Sequence, residues 1–180
     1  EIDALVLPPE EYMDEKLLHL AEMAKENGTR VLTIYSGEEV GTYLKCIAPL
    51  ATRKNECTRG RMEAVPRLEA GNEASVVLEL KDGAFQMLLT GDLEGRGEEQ
   101  LVESGTLESC PILKAGHHGS KNSGSEDFLQ IVKPRLTLIS AGIENRYGHP
   151  HAETLERLRE IGSEVLSTQE CGAITLKSDG

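Results

Sequence analysis

Four of the five histidines fall within 35 residues of one another, between His117 and His151, and each follows a short apolar run that reads as a β-strand. The first of these runs to end in a reactive group is LLTGD, where Gly91-Asp92 comes directly after an apolar strand. A carboxylate there is held at the rim of a sheet and can bridge two metal ions; an ordinary turn or N-cap aspartate has the same local signature. The second is KAGHHGSK, with His117 and His118 bounded by glycine on both sides. Neutral imidazole is a good zinc or manganese ligand, so one ring of the pair can face a metal and the other a substrate or leaving group. The third is NRYGHPH, in which His149 or His151 can donate to a phosphate or line the pocket. His151 could equally cap the helix that follows, and Pro150 could help to start it. His19 lies among the apolar positions of a predicted helix and is given no role.

The elements that must position these groups can be read from period and punctuation. Ile2–Leu7 is a strand closed by Pro8-Pro9, and a helix over about 11–27 ends at Asn27-Gly28. Strands follow at Arg30–Tyr35 and Tyr43–Ala48. A hairpin joins Ser75–Leu80 to Ala84–Thr90 through Lys81-Asp82-Gly83. A polar helix over about 96–104, a strand Pro111–Ala115, a helix over about 125–132, a strand Arg135–Ser140 and a helix over about 152–161 then alternate. Strands near Glu164–Ser167 and Ala173–Leu176 close the chain. A meander followed by β–α alternation predicts an α/β fold, sheets with helices packed outside, in one domain.

The 180 residues can bury a core, and with 3% aromatic residues and no Trp that core must be aliphatic. A net charge of −12 favours solubility and argues against broad electrostatic binding to nucleic acid or to an anionic membrane. A phosphate-bearing substrate would therefore need a local positive centre, such as a metal ion. No apolar run approaches the roughly 18–20 residues that span a bilayer. The four cysteines form no CxxC pair, which argues against a structural zinc site; they read as small buried residues, with a Cys46–Cys57 disulfide as the alternative. The stretch at about 50–71 has no period and carries Arg53, Lys54, Arg59, Arg61 and Arg67, so it reads as a surface loop, solvated or in local contact with a polyanion.

The order LLTGDLE, KAGHHGSKNSGSEDF, VKPRLTLISAGIENRYGHPH, a short amphipathic helix and CGAITL resembles the C-terminal metallo-β-lactamase-like domain of the DNA-internalization competence (ComEC) family. It resembles, to a lesser degree, bacterial phosphorylcholine esterases of the same fold. The resemblance is dense from about Asn72 to Leu176. It implies an αββα four-layer sandwich, lacking its N-terminal strands, with 1–180 as a partial hydrolase domain. By motif, Asp92 and His118 would be metal ligands and His117 would face the scissile phosphate with His149 as backup. Asn72, Ser120, Lys121 and His151 would line the substrate. The family's HxDxDH-like motif is not present in these residues, so two divalent ions, zinc or manganese, would find few ligands and the chain alone is expected to bind metal weakly and to be inactive. The implied parent is a polytopic protein of the bacterial cell membrane. It would carry this domain outside the cytoplasm, where it acts as a nuclease on a DNA strand during natural competence. A small-substrate phosphodiesterase and a non-catalytic scaffolding domain are the alternatives.

Overall fold

The computed structural model of the chain describes residues 2–51 and 67–178. Strand β1 (Ala4–Leu7) pairs in parallel with β2 (Arg30–Thr33), and α1 (Glu15–Glu26) connects them. Asp14 caps α1 by accepting the Leu17 N–H at 2.8 Å, so the helix starts later than its apolar period suggests. This small sheet packs on α1 through Leu7, Met13 and Ala21, with Leu5, Leu17, Leu18 and Val31 beside them.

Among the described residues the larger sheet has seven strands in sequence order: β3 (Glu39–Val40), β4 (Leu44–Ala48), β5 (Val77–Asp82), β6 (Phe85–Leu89), β7 (Ile112–Lys114), β8 (Leu136–Ile139) and β9 (Glu164–Ser167). From β3 to β6 each strand is antiparallel to its neighbour, whereas β6 to β9 run parallel. The β5–β6 turn is tighter than the sequence suggests, because Asp82 still pairs with Phe85 and only Gly83 and Ala84 make the corner. Helices α2 (Gly95–Glu103), α3 (Glu126–Val132) and α4 (Ala152–Glu160) carry the chain between successive parallel strands. The main core is aliphatic apart from Phe128 and Cys110, and includes Val77, Leu88, Leu93, Leu101, Leu113, Leu129, Ile139 and Leu158. Among the described residues no helix is long and apolar enough to cross a membrane.

Parallel strands have one consequence for chemistry. The segments after β6, β7 and β8 all leave the same edge of the sheet, and they are the segments carrying Asp92, the His117-His118 pair and His149.

Two expectations are corrected, and two others fall wholly or mostly outside the described residues. Residues 173–178 join no strand: β9 is the sheet's last strand, and a short helix, α5 (Thr168–Cys171), ends at Gly172 with φ 70° and turns the chain away. Cys46 and Cys110 are buried as expected, but Cys171 is exposed; the Cys46–Cys57 pairing falls on a residue outside those described. Of the basic stretch, Arg67 is in view and donates to the Glu11 carbonyl at 2.9 Å, which ties it to the turn before α1; the other four basic residues are outside the described residues.

The polar helix α2 turns polar groups inward as well as outward. Glu98 is only 3% exposed, and its two oxygens accept the N–H groups of Gly124 and Ser125, each at 2.7 Å. From the other side Arg157 donates to the carbonyls of Gly124 at 2.7 Å and of Lys121 and Ser123 at 3.0 Å. The loop after the histidine pair is thus held through both its donors and its acceptors. Burial pushes the Glu98 carboxyl above its usual 4.5, while the N–H groups of Ser125 and Gly124 and the Arg157 charge pull against it. A carboxyl with a raised folded pKa holds its proton more tightly in the folded chain. Its contribution is therefore complete below 4.5 and is lost as pH rises through the folded value. The stability advantage of wild type over Glu98→Gln, taken from urea midpoints, is expected to shrink as pH rises from 4.5. A difference independent of pH would contradict the raised carboxyl.

Candidate functional site

The three loops at the sheet edge are tied to one another by main-chain and side-chain bonds. His117 N–H donates to the Gly91 carbonyl at 3.1 Å, and Lys114 Nζ reaches the carbonyls of Gly91 at 3.3 Å and Ala115 at 2.9 Å. Thr90 Oγ1 donates to the Lys114 carbonyl at 2.7 Å. His151 N–H donates to the Gly119 carbonyl at 2.9 Å, which docks the third loop on the second. Gly119 has φ 81°, and a Cβ there would meet Pro150 Cβ at 2.7 Å, so the close approach of the two loops requires glycine.

At the centre, His118 Nε2 lies 3.6 Å from Asp92 Oδ1, both side chains being partly open to solvent. His118 Nδ1 is 2.6 Å from the Ser140 carbonyl at the end of β8. A carbonyl only accepts, so Nδ1 carries the hydrogen of that bond and Nε2 is the ring nitrogen turned toward Asp92. His117 turns the other way. Its Nδ1 lies 2.9 Å from Glu94 Oε2 and donates to that carboxylate. Glu94 also accepts from Asn72 Nδ2 at 3.0 Å and from Ser120 Oγ at 3.1 Å. Burial by itself would push the Glu94 carboxyl up, but the bonds from Asn72, His117 and Ser120 outweigh it and hold the group below the usual carboxylate range.

His149 is 8% exposed and sits against the pair, its ring centroid 5.2 Å from that of His117 and 6.4 Å from that of His118. Burial first, and then the neighbouring His151, His117 and His118, push its pKa down against the pull of Glu94. His151 occupies the position before α4 without a side-chain cap bond; its Nδ1 accepts the Lys121 N–H at 3.3 Å. The Lys121 side chain is exposed at the rim. Asp92, His117, His118 and His149 are therefore brought together; Asn72 Nδ2 lies 3.3 Å from His117 Nδ1 and, like Ser120, bonds to Glu94. Among the described residues, no set of three His, Cys, Asp or Glu side chains converges closely enough to hold one ion.

Sequence reasoning missed Glu94 and Lys114. Glu94 is two residues beyond Asp92 in the same strand-end loop, and Lys114 interrupts the apolar run ILKA; a charge at each of these places is the signal that was available. Burial lowers the Lys114 pKa, and Asp92 partly offsets that effect.

The histidine pair carries backbone strain: His117 has φ 41° and His118 φ 56°. Side chains with a Cβ are disfavoured in this region by about 1 kcal/mol or more, so two adjacent cases mark a loop held by its surroundings. Because Ala and Gly both lack the imidazole, comparing His118→Gly with His118→Ala isolates the strain. The glycine variant is expected to be the more stable by about 1 kcal/mol in urea denaturation. Equal stabilities would mean that the backbone relaxes out of the left-handed region when the imidazole is lost.

The fold and the edge cluster define an α/β protein with carboxylate and imidazole groups gathered where parallel strands end. No family model matches the chain. Its relatives among well-described proteins include the ComE operon protein 3 of Bacillus subtilis (strain 168), 42% identical over 103 residues that make up 57% of this chain. They also include the Recombination protein 2 of Haemophilus influenzae, 39% identical over 105 residues, and the Competence protein ComA of Neisseria gonorrhoeae, 41% identical over 105 residues. All three are ComEC-family proteins, and over more than half its length the chain is their homologue. The matched part is only 13–15% of the length of those relatives.

Proposed function

We propose that the chain supplies one side of a divalent-metal phosphodiesterase centre that cuts DNA during uptake by a ComEC-type membrane protein. The observation that carries this reading is the Asp92–His118 pair. Two ligand atoms each about 2.1 Å from one tetrahedral ion stand about 3.4 Å apart, close to the 3.6 Å between Asp92 Oδ1 and His118 Nε2. The Ser140 carbonyl on His118 Nδ1 is the outer partner that metal-ligating histidines ordinarily have. The donor set thus fits two ligands of one ion, zinc or manganese, with further ligands needed from elsewhere. On this reading the chain alone binds metal weakly and does not cut.

A bound divalent ion would supply an activated water and draw charge off the phosphoryl oxygens. The chain's own groups do the rest. Glu94 fixes the His117 ring through Nδ1, which leaves Nε2 for a phosphoryl or leaving oxygen. His149 stands behind it as a second donor. Asn72 and Ser120 act through Glu94, while Lys121 and His151 form the rim. The family resemblance also supports reading the seven-stranded sheet and the β1–β2 sheet as parts of an αββα sandwich. The DNA substrate, the membrane parent and the outward placement rest on the competence proteins to which the chain is similar.

The test is cleavage of a single-stranded oligonucleotide by a longer protein that joins this chain to an upstream HxDxDH-type segment. Cleavage is expected with manganese and is expected to stop on chelation with EDTA. No cleavage with manganese or zinc would sink the proposal.

A further inference from the structure

Beside His118 lies an open cavity of about 460 Å³, lined by His118, Ser140, Ala141, Gly142, Asn145, Tyr147 and His149. Its outer wall is the loop from Gly142 to His149, which is held in one shape by its own bonds. Asn145 Nδ2 donates to the carbonyls of Gly142 at 2.9 Å and His149 at 2.6 Å, and Asn145 Oδ1 accepts the His149 N–H at 3.0 Å. Gln169, from α5, donates to the same two carbonyls at 2.7 and 2.9 Å. A loop so fully satisfied still directs Tyr147, 61% exposed, to solvent. The Tyr147 ring is stacked on His149, with centroids 5.8 Å apart and planes inclined by 25°, and the Arg146 guanidinium stands 4.7 Å from its centroid.

Single exposed aromatics need no explanation, but this one is rigidly presented at the mouth of the cavity that contains the proposed metal ligand. A preorganised tyrosine with a flanking guanidinium, next to a phosphate-handling centre, is what an unpaired base stacks on. We infer that Tyr147, backed by His149, is a stacking platform for the nucleobase beside the scissile phosphate. The preferred substrate is then a strand with unpaired bases. This rests on the phosphodiesterase reading and adds the substrate's state to it. Arg146 is exposed and donates to the Tyr147 hydroxyl through Nη2, so its positive charge stands beside the platform where the backbone of a bound strand would pass.

The test titrates the chain, in millimolar zinc, with hexathymidylate and with an abasic hexamer of the same phosphate charge, followed by NMR of ring-labelled tyrosine. The thymidylate is expected to bind about tenfold more tightly and to shift the Tyr147 ring resonances. Tyr147→Ala should erase the preference, and Tyr147→Phe, which keeps the π-face, should retain it. Equal binding of the two hexamers by the wild type, or a preference that survives Tyr147→Ala, overturns the platform and leaves the phosphodiesterase reading standing. Binding of neither hexamer also overturns the platform, whereas the phosphodiesterase reading stands or falls on the cleavage assay of the longer protein.

Discussion

Replacing Gly97 by alanine is expected to lower the stability of the chain by about 3 kcal/mol, seen as a fall in the urea midpoint at unchanged slope. On helix propensity alone the sign would be the reverse, because Ala is favoured over Gly inside a helix by about 1 kcal/mol. Packing decides the matter. A Cβ at position 97 would lie 1.9 Å from the Glu73 carbonyl oxygen, 2.7 Å from its carbon and 2.9 Å from Leu93 Cδ1. The principal obstacle is main chain, not the end of a flexible side chain, so either α2 or the turn at Asn72–Ala74 must move. That turn carries Asn72, the donor to Glu94, and the same substitution should therefore loosen the hold on His117. A stability change of less than 1 kcal/mol, or an unaltered Asn72 side-chain amide in NMR spectra, would contradict this account of how α2 supports the site.

What the sequence could reveal followed from what is local. Apart from the two-residue β3, strand and helix positions from Ala4 to Ser167 were legible because apolar period, Asn-Gly and Asp-Gly punctuation act within a few residues. The gathering of Asp92, His117, His118 and His149 was legible through the motif order, and the physical reason lies in β6, β7 and β8 running parallel, so that their following loops share one edge. Glu94 was not legible as a hub: its partners Asn72, His117 and Ser120 come from three separate segments. Glu98 and Arg157 escaped for the same reason. Both look like solvated helix charges, yet each is spent on the main chain of residues 121–125. The strand expected at Ala173–Leu176 failed because β propensity says nothing about whether a neighbouring strand is there to pair with, and α5 directs the chain off the sheet first.

The substitution with the largest expected effect on chemistry is Asp92→Ala in the longer protein described above, which should lose cleavage by more than about a hundredfold, given that even outer partners of metal ligands are worth about 10- to 100-fold. Glu94→Gln is the informative companion. Glu94 makes its contacts with Asn72, His117 and Ser120 and none with Asp92 or His118, so its replacement should reduce cleavage by roughly 10- to 100-fold. The two losses should also differ in kind. A missing ligand weakens metal binding, so raising manganese should recover part of the activity of Asp92→Asn. A misoriented His117 leaves metal binding intact, so Glu94→Gln should show its deficit at every manganese concentration, as a fall in kcat with little change in the half-saturating metal. Undiminished cleavage by Asp92→Ala would remove the carboxylate from the centre. Recovery of Glu94→Gln by added manganese would make Glu94 part of the ion's own coordination, and the division of labour between the two acids at the end of β6 would have to be redrawn.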